Sequence, residues 1–138
     1  MLNFEDLERG SELEELTTES KDSELKMQDL QKELSEIQEA RSGMDEKLAK
    51  TLEKKEHEAK ENVENEEKKQ KELLKKINKF QKEVEELEKQ NFDDYRKVVL
   101  LSKTPSELGE AKQVIALRTY AIQNAKEKIE EMKESLEK

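Results

Sequence analysis

The chain is 138 residues long, 46% charged and 31% hydrophobic, with 27 Lys and Arg against 36 Asp and Glu, for a net charge of −9. Average chains are about 25% charged and about 45–50% apolar. The proportions here exclude a large compact core, and the near-absence of proline with spaced apolar residues points to helical rods rather than a disordered tail. A nucleic-acid binder carries a basic face, which this acidic chain lacks, and no apolar run reaches the roughly 18 residues of a membrane span.

The acidic excess sits in the first third, where residues 1–40 hold thirteen acidic and four basic side chains. No basic segment leads into an apolar stretch, so a secretory signal is not expected. The lack of cysteine fits a reducing compartment, and the expected location is the cytoplasm, in keeping with a cytoskeletal association.

Residues 1–11 read as a flexible or short amphipathic N-terminal segment, with Leu2, Phe4 and Leu7 on one face and Gly10 ending it. Ser11 and Glu14 stand at capping-box spacing, so a long helix is expected from residue 12. Thr17, Thr18, Ser20 and Ser23 dilute its first turns, and a start nearer Asp22 is the alternative.

From Met27 the period is plain. Met27, Leu30, Leu34, Ile37, Arg41, Met44 and Leu48 alternate three- and four-residue steps, the seam of a left-handed coiled coil. This seam passes Ser42–Gly43 without a change of phase. Glycine inside a helix costs about 1 kcal/mol relative to alanine, but the kept phase predicts one continuous coiled-coil helix over 12–102, with a turn at Gly43 as the alternative.

Residues 53–72 are the weak part of that helix, since Ala59 and Val63 are their only apolar side chains. Glu–Lys pairs four residues apart hold such a segment helical by about 0.2–0.5 kcal/mol each and do little to pair helices. His57 stands here among carboxylates and reads as a surface residue. No catalytic, cofactor-binding or metal residue is expected, and no enzyme. The chain has one His, no Cys and no glycine-rich phosphate loop. Carboxylates on solvated rod faces lack the burial that raises a pKa.

The seam returns at Leu73, Ile77, Phe80, Val84, Leu87 and Asn91. An Asn at a seam position sets register and partner number at some expense in stability; alternatively Asn91 and Asp94 mark a helix break. Beyond it Phe92, Tyr95 and Val98–Leu101 are apolar nearly all round, as in a helix surrounded by several others.

Residues 103–105 then form a turn. Pro105 suits a first helical position and pushes Thr104 out of the α region. Thr104 and Glu107 have capping-box spacing, with the hydroxyl accepting from the Glu107 amide and the carboxylate reaching the Thr104 amide. The return helix, 106–138, carries the cleanest seam: Leu108, Ala111, Ile115, Arg118, Ile122, Ala125, Ile129, Met132 and Leu136. A second apolar strip, Val114, Leu117, Tyr120 and Ala121, lies beside it.

A return helix of about 32 residues spans about 48 Å and covers roughly residues 70–101. Residues 12–69 are then left to pair between chains. The expected architecture is all-α: a long coiled-coil helix followed by a helical hairpin, dimeric, with a four-helix bundle at the hairpin. The expected oligomer interface is Met27, Leu30, Leu34, Ile37, Leu48, Leu73, Ile77, Phe80, Val84, Leu87, Leu108, Ile115, Ile122 and Ile129. The candidate partner surface is Tyr95, Arg96, Val114, Leu117 and Tyr120, residue types that include common binding hot spots.

The expected function is a coiled-coil oligomerisation or scaffold segment of a larger cytoskeletal, centrosomal, kinetochore or trafficking protein. Its partners are a second copy and other proteins at the hairpin, without nucleic acid, membrane or cofactor. The alternatives are a curved helical dimer on a membrane surface and an antiparallel stalk segment of a motor or chromosome-type ATPase. The +2 net charge of residues 41–80 is weak attraction for anionic lipid, and the short turn at 103–105 leaves no room for a domain inserted at a stalk tip.

Overall fold

Residues 1–137 are described by the computed structural model, and they are all-helical. The order is α1 (Phe4–Arg9), α2 (Ser11–Ser42), α3 (Glu46–Leu101) and α4 (Pro105–Glu137), with no strand among the described residues. With 56 residues, α3 is about 84 Å long at the standard rise, and the other helices are laid along it.

One face of α3 is buried along most of its length, at Glu56, Ala59, Glu66, Leu73, Ile77, Phe80, Val84, Leu87 and Asn91. Half-buried Leu52, Val63 and Gln70 fill the intervening three- and four-residue steps. α2 runs antiparallel to the first half of α3, since Ser23 meets Glu66 and Arg41 meets Glu56. α4 runs antiparallel to the second half, where Lys133 donates to Gln81 and Asn91 to Thr119. The beginning of α2 and the end of α4 therefore overlap beside residues 73–87. Leu13 and Leu16 join Ile129, Met132 and Leu136 there around Ile77, Phe80 and Val84 in one core cluster.

The continuous helix expected over 12–102 does not form. α2 stops at Ser42, Gly43 and Met44 make a turn, and Asp45 caps α3 by accepting from the Lys47 and Leu48 amides at 3.1 and 3.3 Å. Met44 and Leu48 continue the phase of the α2 seam only by coincidence; they are 41% and 55% exposed. A straight helix would leave that seam in water, whereas folding back buries Met27 and half-buries Leu30, Leu34 and Ile37. Residues 12–69 thus have their partner inside the chain. Of the residues expected between chains, Met27, Leu73, Ile77, Phe80, Val84, Leu87, Ile115, Ile122 and Ile129 are buried within one chain, Leu108 is half-buried and Leu48 lies at the surface.

The N-terminal segment is tied down. Asn3 accepts from the Asp6 amide at 2.8 Å to cap α1. Leu7 is buried, and the Arg118 guanidinium lies 4.1 Å over the Phe4 ring. Gly10 ends α1 and starts α2 with φ at 70°, a left-handed conformation that a side chain disfavours. Ser11 therefore lies inside α2, and its expected capping box is replaced by the glycine joint. At the second turn the Glu107 amide donates to Thr104 Oγ1 at 3.1 Å, but the Glu107 carboxylate accepts from the Lys103 amide, one residue earlier than expected. α3 runs unbroken through Asn91 and Asp94.

Candidate functional site

The distal end of the α3–α4 hairpin reverses the ordinary pattern of a helix pair. Seam positions there are polar. Asn91 Nδ2 donates to Thr119 Oγ1 at 2.9 Å, and Arg118 pairs with Asp94 at 3.2 Å while also covering Phe4. Among apolar seam residues of α4 before Ile122, only Ile115 is buried. The larger apolar side chains stand outside the seam and are exposed: Phe92 at 62%, Leu100 at 78%, Leu101 at 73%, Leu117 at 64% and Tyr120 at 76%. Tyr95, Val99 and Val114 are exposed with them.

These side chains border two separate grooves. On one flank, Phe92 and Tyr95 of α3 and Ala116 and Thr119 of α4 wall a groove of about 460 Å³ over Asn91 and Ile115, with Glu88 and Lys112 also at its edge. On the other, Leu117, Tyr120 and Ala121 face Leu7, Gly10 and Leu13, so α1 and the start of α2 adjoin the strip that Val114 and Leu117 continue toward the turn. Of the candidate partner surface, Tyr95, Arg96, Val114, Leu117 and Tyr120 are all exposed at this end.

The α2–α3 arm is polar along its seam. Glu66 is 3% exposed, accepts from Ser23 Oγ at 2.8 Å and lies 3.5 Å from Lys26 Nζ. Glu56 is buried between Arg41 and Lys60. The hydrogen bond from the Arg41 guanidinium holds its carboxyl below the ordinary 4.5, against the opposing effect of desolvation. These two carboxylates correct the expectation that the acidic residues of the rod are all solvated. Stepping back from Leu73 by three and four residues gives Gln70, Glu66, Val63, Ala59 and Glu56, a signal hidden because the occupants are mostly polar.

Among the described residues no cluster of three or more His, Cys, Asp or Glu stands together as a metal site, and no helix is long and apolar enough to cross a membrane. Compared with protein-family models, curated proteins and solved structures, the chain matched none of them.

Proposed function

We propose that this chain is a coiled-coil assembly element, an oligomerisation or scaffold segment of a larger cytoskeletal, centrosomal, kinetochore or trafficking protein, acting by helix association rather than by catalysis. In this reading it is a cytoplasmic homodimer whose α3–α4 ends pack into a four-helix bundle, leaving other faces to further proteins. The observation that carries it is the inverted pattern at that end, with Asn91, Asp94 and Arg118 in the seam and Phe92, Leu117 and Tyr120 in water. Monomeric proteins seldom expose contiguous apolar surface beyond a few hundred Å², and burial of such surface stabilises association by about 25 cal/mol per Å² before the losses of binding are counted.

The test is mass against concentration by sedimentation equilibrium, with Leu117→Glu/Tyr120→Glu as the control. The wild-type chain is expected to dimerise at micromolar concentration. The variant is expected to stay monomeric with unchanged helicity, because both side chains are exposed. A wild-type chain that remains monomeric at several hundred micromolar overturns the self-association.

A further inference from the structure

The groove on the Leu117 flank and the tip of the α3–α4 hairpin carry opposite charge. The groove holds about 520 Å³ between Leu7 and Leu13 on one wall and Leu117, Tyr120, Ala121 and Asn124 on the other. Its first wall belongs to residues 4–15, which hold six acidic side chains and one basic. That one, Arg9, is already paired with Glu5. Glu8 and Glu14 border the groove, exposed and in no ion pair among the described residues, with Lys128 on the opposite wall.

The tip, residues 95–104, holds Arg96, Lys97 and Lys103 and no acidic residue. Leu100 and Leu101 stand there in water. Leu101 repeats the helical position of Asp94, seven residues earlier. Asp94 pairs with Arg118, which covers Phe4, so Leu101 lies on the same flank as the groove. Lys97 precedes Leu101 by one turn on that stripe, and Lys103 follows it in the loop.

A tip cannot enter the groove of its own chain. By continuation of the Asn91–Thr119 and Asp94–Arg118 pairings, Leu101 lies across from residues 109–111, roughly 16 Å along the axis from Ala121. A second copy pointing the opposite way supplies the tip instead. A two-fold axis crossing α4 near Leu117 carries each tip to the level of the other copy's Ala121 and Asn124 and brings the two Leu117 side chains together. Copies pointing the same way would set tip against tip, opposing Lys97 and Lys103 to themselves, which is repulsive.

Resting on the self-association proposed above, we infer that the groove on the Leu117 flank receives the Leu100–Leu101 tip of a second copy in antiparallel orientation, with Lys97 and Lys103 meeting Glu8 and Glu14. Both grooves fill at once, and the Phe92 flank is left free.

Charge reversal tests this docking without removing an apolar side chain. K97E/K103E makes the tip acidic, and E8K/E14K makes the groove basic. All four positions are exposed, and circular dichroism checks that the full-length variants keep their helicity. At low ionic strength, where surface charges are least screened, each variant alone is expected to dimerise about tenfold more weakly than wild type, because like charges face each other at both contacts. An equimolar mixture of the two is expected to regain wild-type affinity as a heterodimer, since each tip then meets a groove of opposite sign. Sedimentation equilibrium reads all three samples. Variants as tight as wild type, or a mixture no tighter than its components, overturn this docking and leave self-association standing. A K97E/K103E dimer tighter than wild type means that tip meets tip, and overturns the antiparallel orientation. A wild-type chain that is monomeric throughout overturns both readings.

Discussion

Truncating Phe80 to alanine is expected to remove a large part of the stability of this molecule, far more than truncating a seam residue in the α2–α3 arm. Phe80 is 1% exposed, with Ile77 and Val84 at 0% beside it, where α2 and α4 both lie against α3. Phe→Ala at a closed site costs about 3–5 kcal/mol, because lost transfer energy and the remaining cavity add. Leu34, packed against α3 alone, is only half-buried. Water fills the space its removal leaves, so Leu34→Ala forfeits about half the ~1.5–3 kcal/mol of a fully buried leucine. A domain of this kind has about 5–15 kcal/mol in all. Urea unfolding followed by circular dichroism at 222 nm, on wild type and the two variants, measures the contrast. Equal losses, or a loss below about 1.5 kcal/mol for Phe80→Ala, would show that the three helices do not converge at that level.

Other substitutions test single contacts. Gly10→Ala meets no atom within 4 Å but inherits φ of 70°, so it should lower stability by about 1–2 kcal/mol; a rise in melting temperature would refute the strained joint. Ser23→Ala alone strips a donor from buried Glu66 and should cost about 1–3 kcal/mol. Ser23→Ala/Glu66→Leu should be neutral or stabilising by about 1–4 kcal/mol, as when a buried polar pair gives way to packed apolar groups; denaturant midpoints decide it. The carboxyl of Glu56 is depressed in the folded chain, so its contribution is present above pH 4.5 and lost as pH falls through the lower folded value. Between about pH 6 and about pH 3, wild type should therefore lose more stability than Arg41→Met, and parallel pH curves would disprove the link.

The parts of this fold that sequence periodicity reached are those where apolar residues occupy the seam. Ile115, Ile122, Ala125, Ile129, Met132 and Leu136 are all buried as their spacing predicts, and Thr104 with Pro105 marks the second turn. The first turn is legible only as the less favoured alternative at Gly43, because Met44 and Leu48 keep the phase of α2 across the break and mask Asp45 as a cap. Missing that turn leaves α2 without a partner and transfers its seam to an interface between chains. Ser20, Ser23, Glu56 and Glu66 escaped for a different reason. A search for apolar spacing skips polar seam residues, and the burial of Ser23, Glu56 and Glu66 rests on pairings between residues as distant as Ser23 and Glu66, while Ser20 is buried with no partner for its hydroxyl among the described residues. At the candidate site, Tyr95, Leu117 and Tyr120 were legible as surplus apolar side chains. The groove beside Leu117 was not, because it depends on where α1 and the start of α2 lie against α4.

The overlap of α2 and α4 also dictates how the molecule carries load. Met1 and Leu2 border Lys79 and Glu83, and Leu136 packs in the cluster with Ile77, so both ends of the described chain lie beside the middle of α3 while both turns lie at its extremities. Tension applied between residues 1 and 137 enters at that waist. The two turns are bypassed until the waist shears, after which each arm peels from its open end with its pairs breaking in succession. A single high-force event followed by two low-force plateaus is the signature expected under an optical trap, with the strength of the whole set by the packing around Phe80.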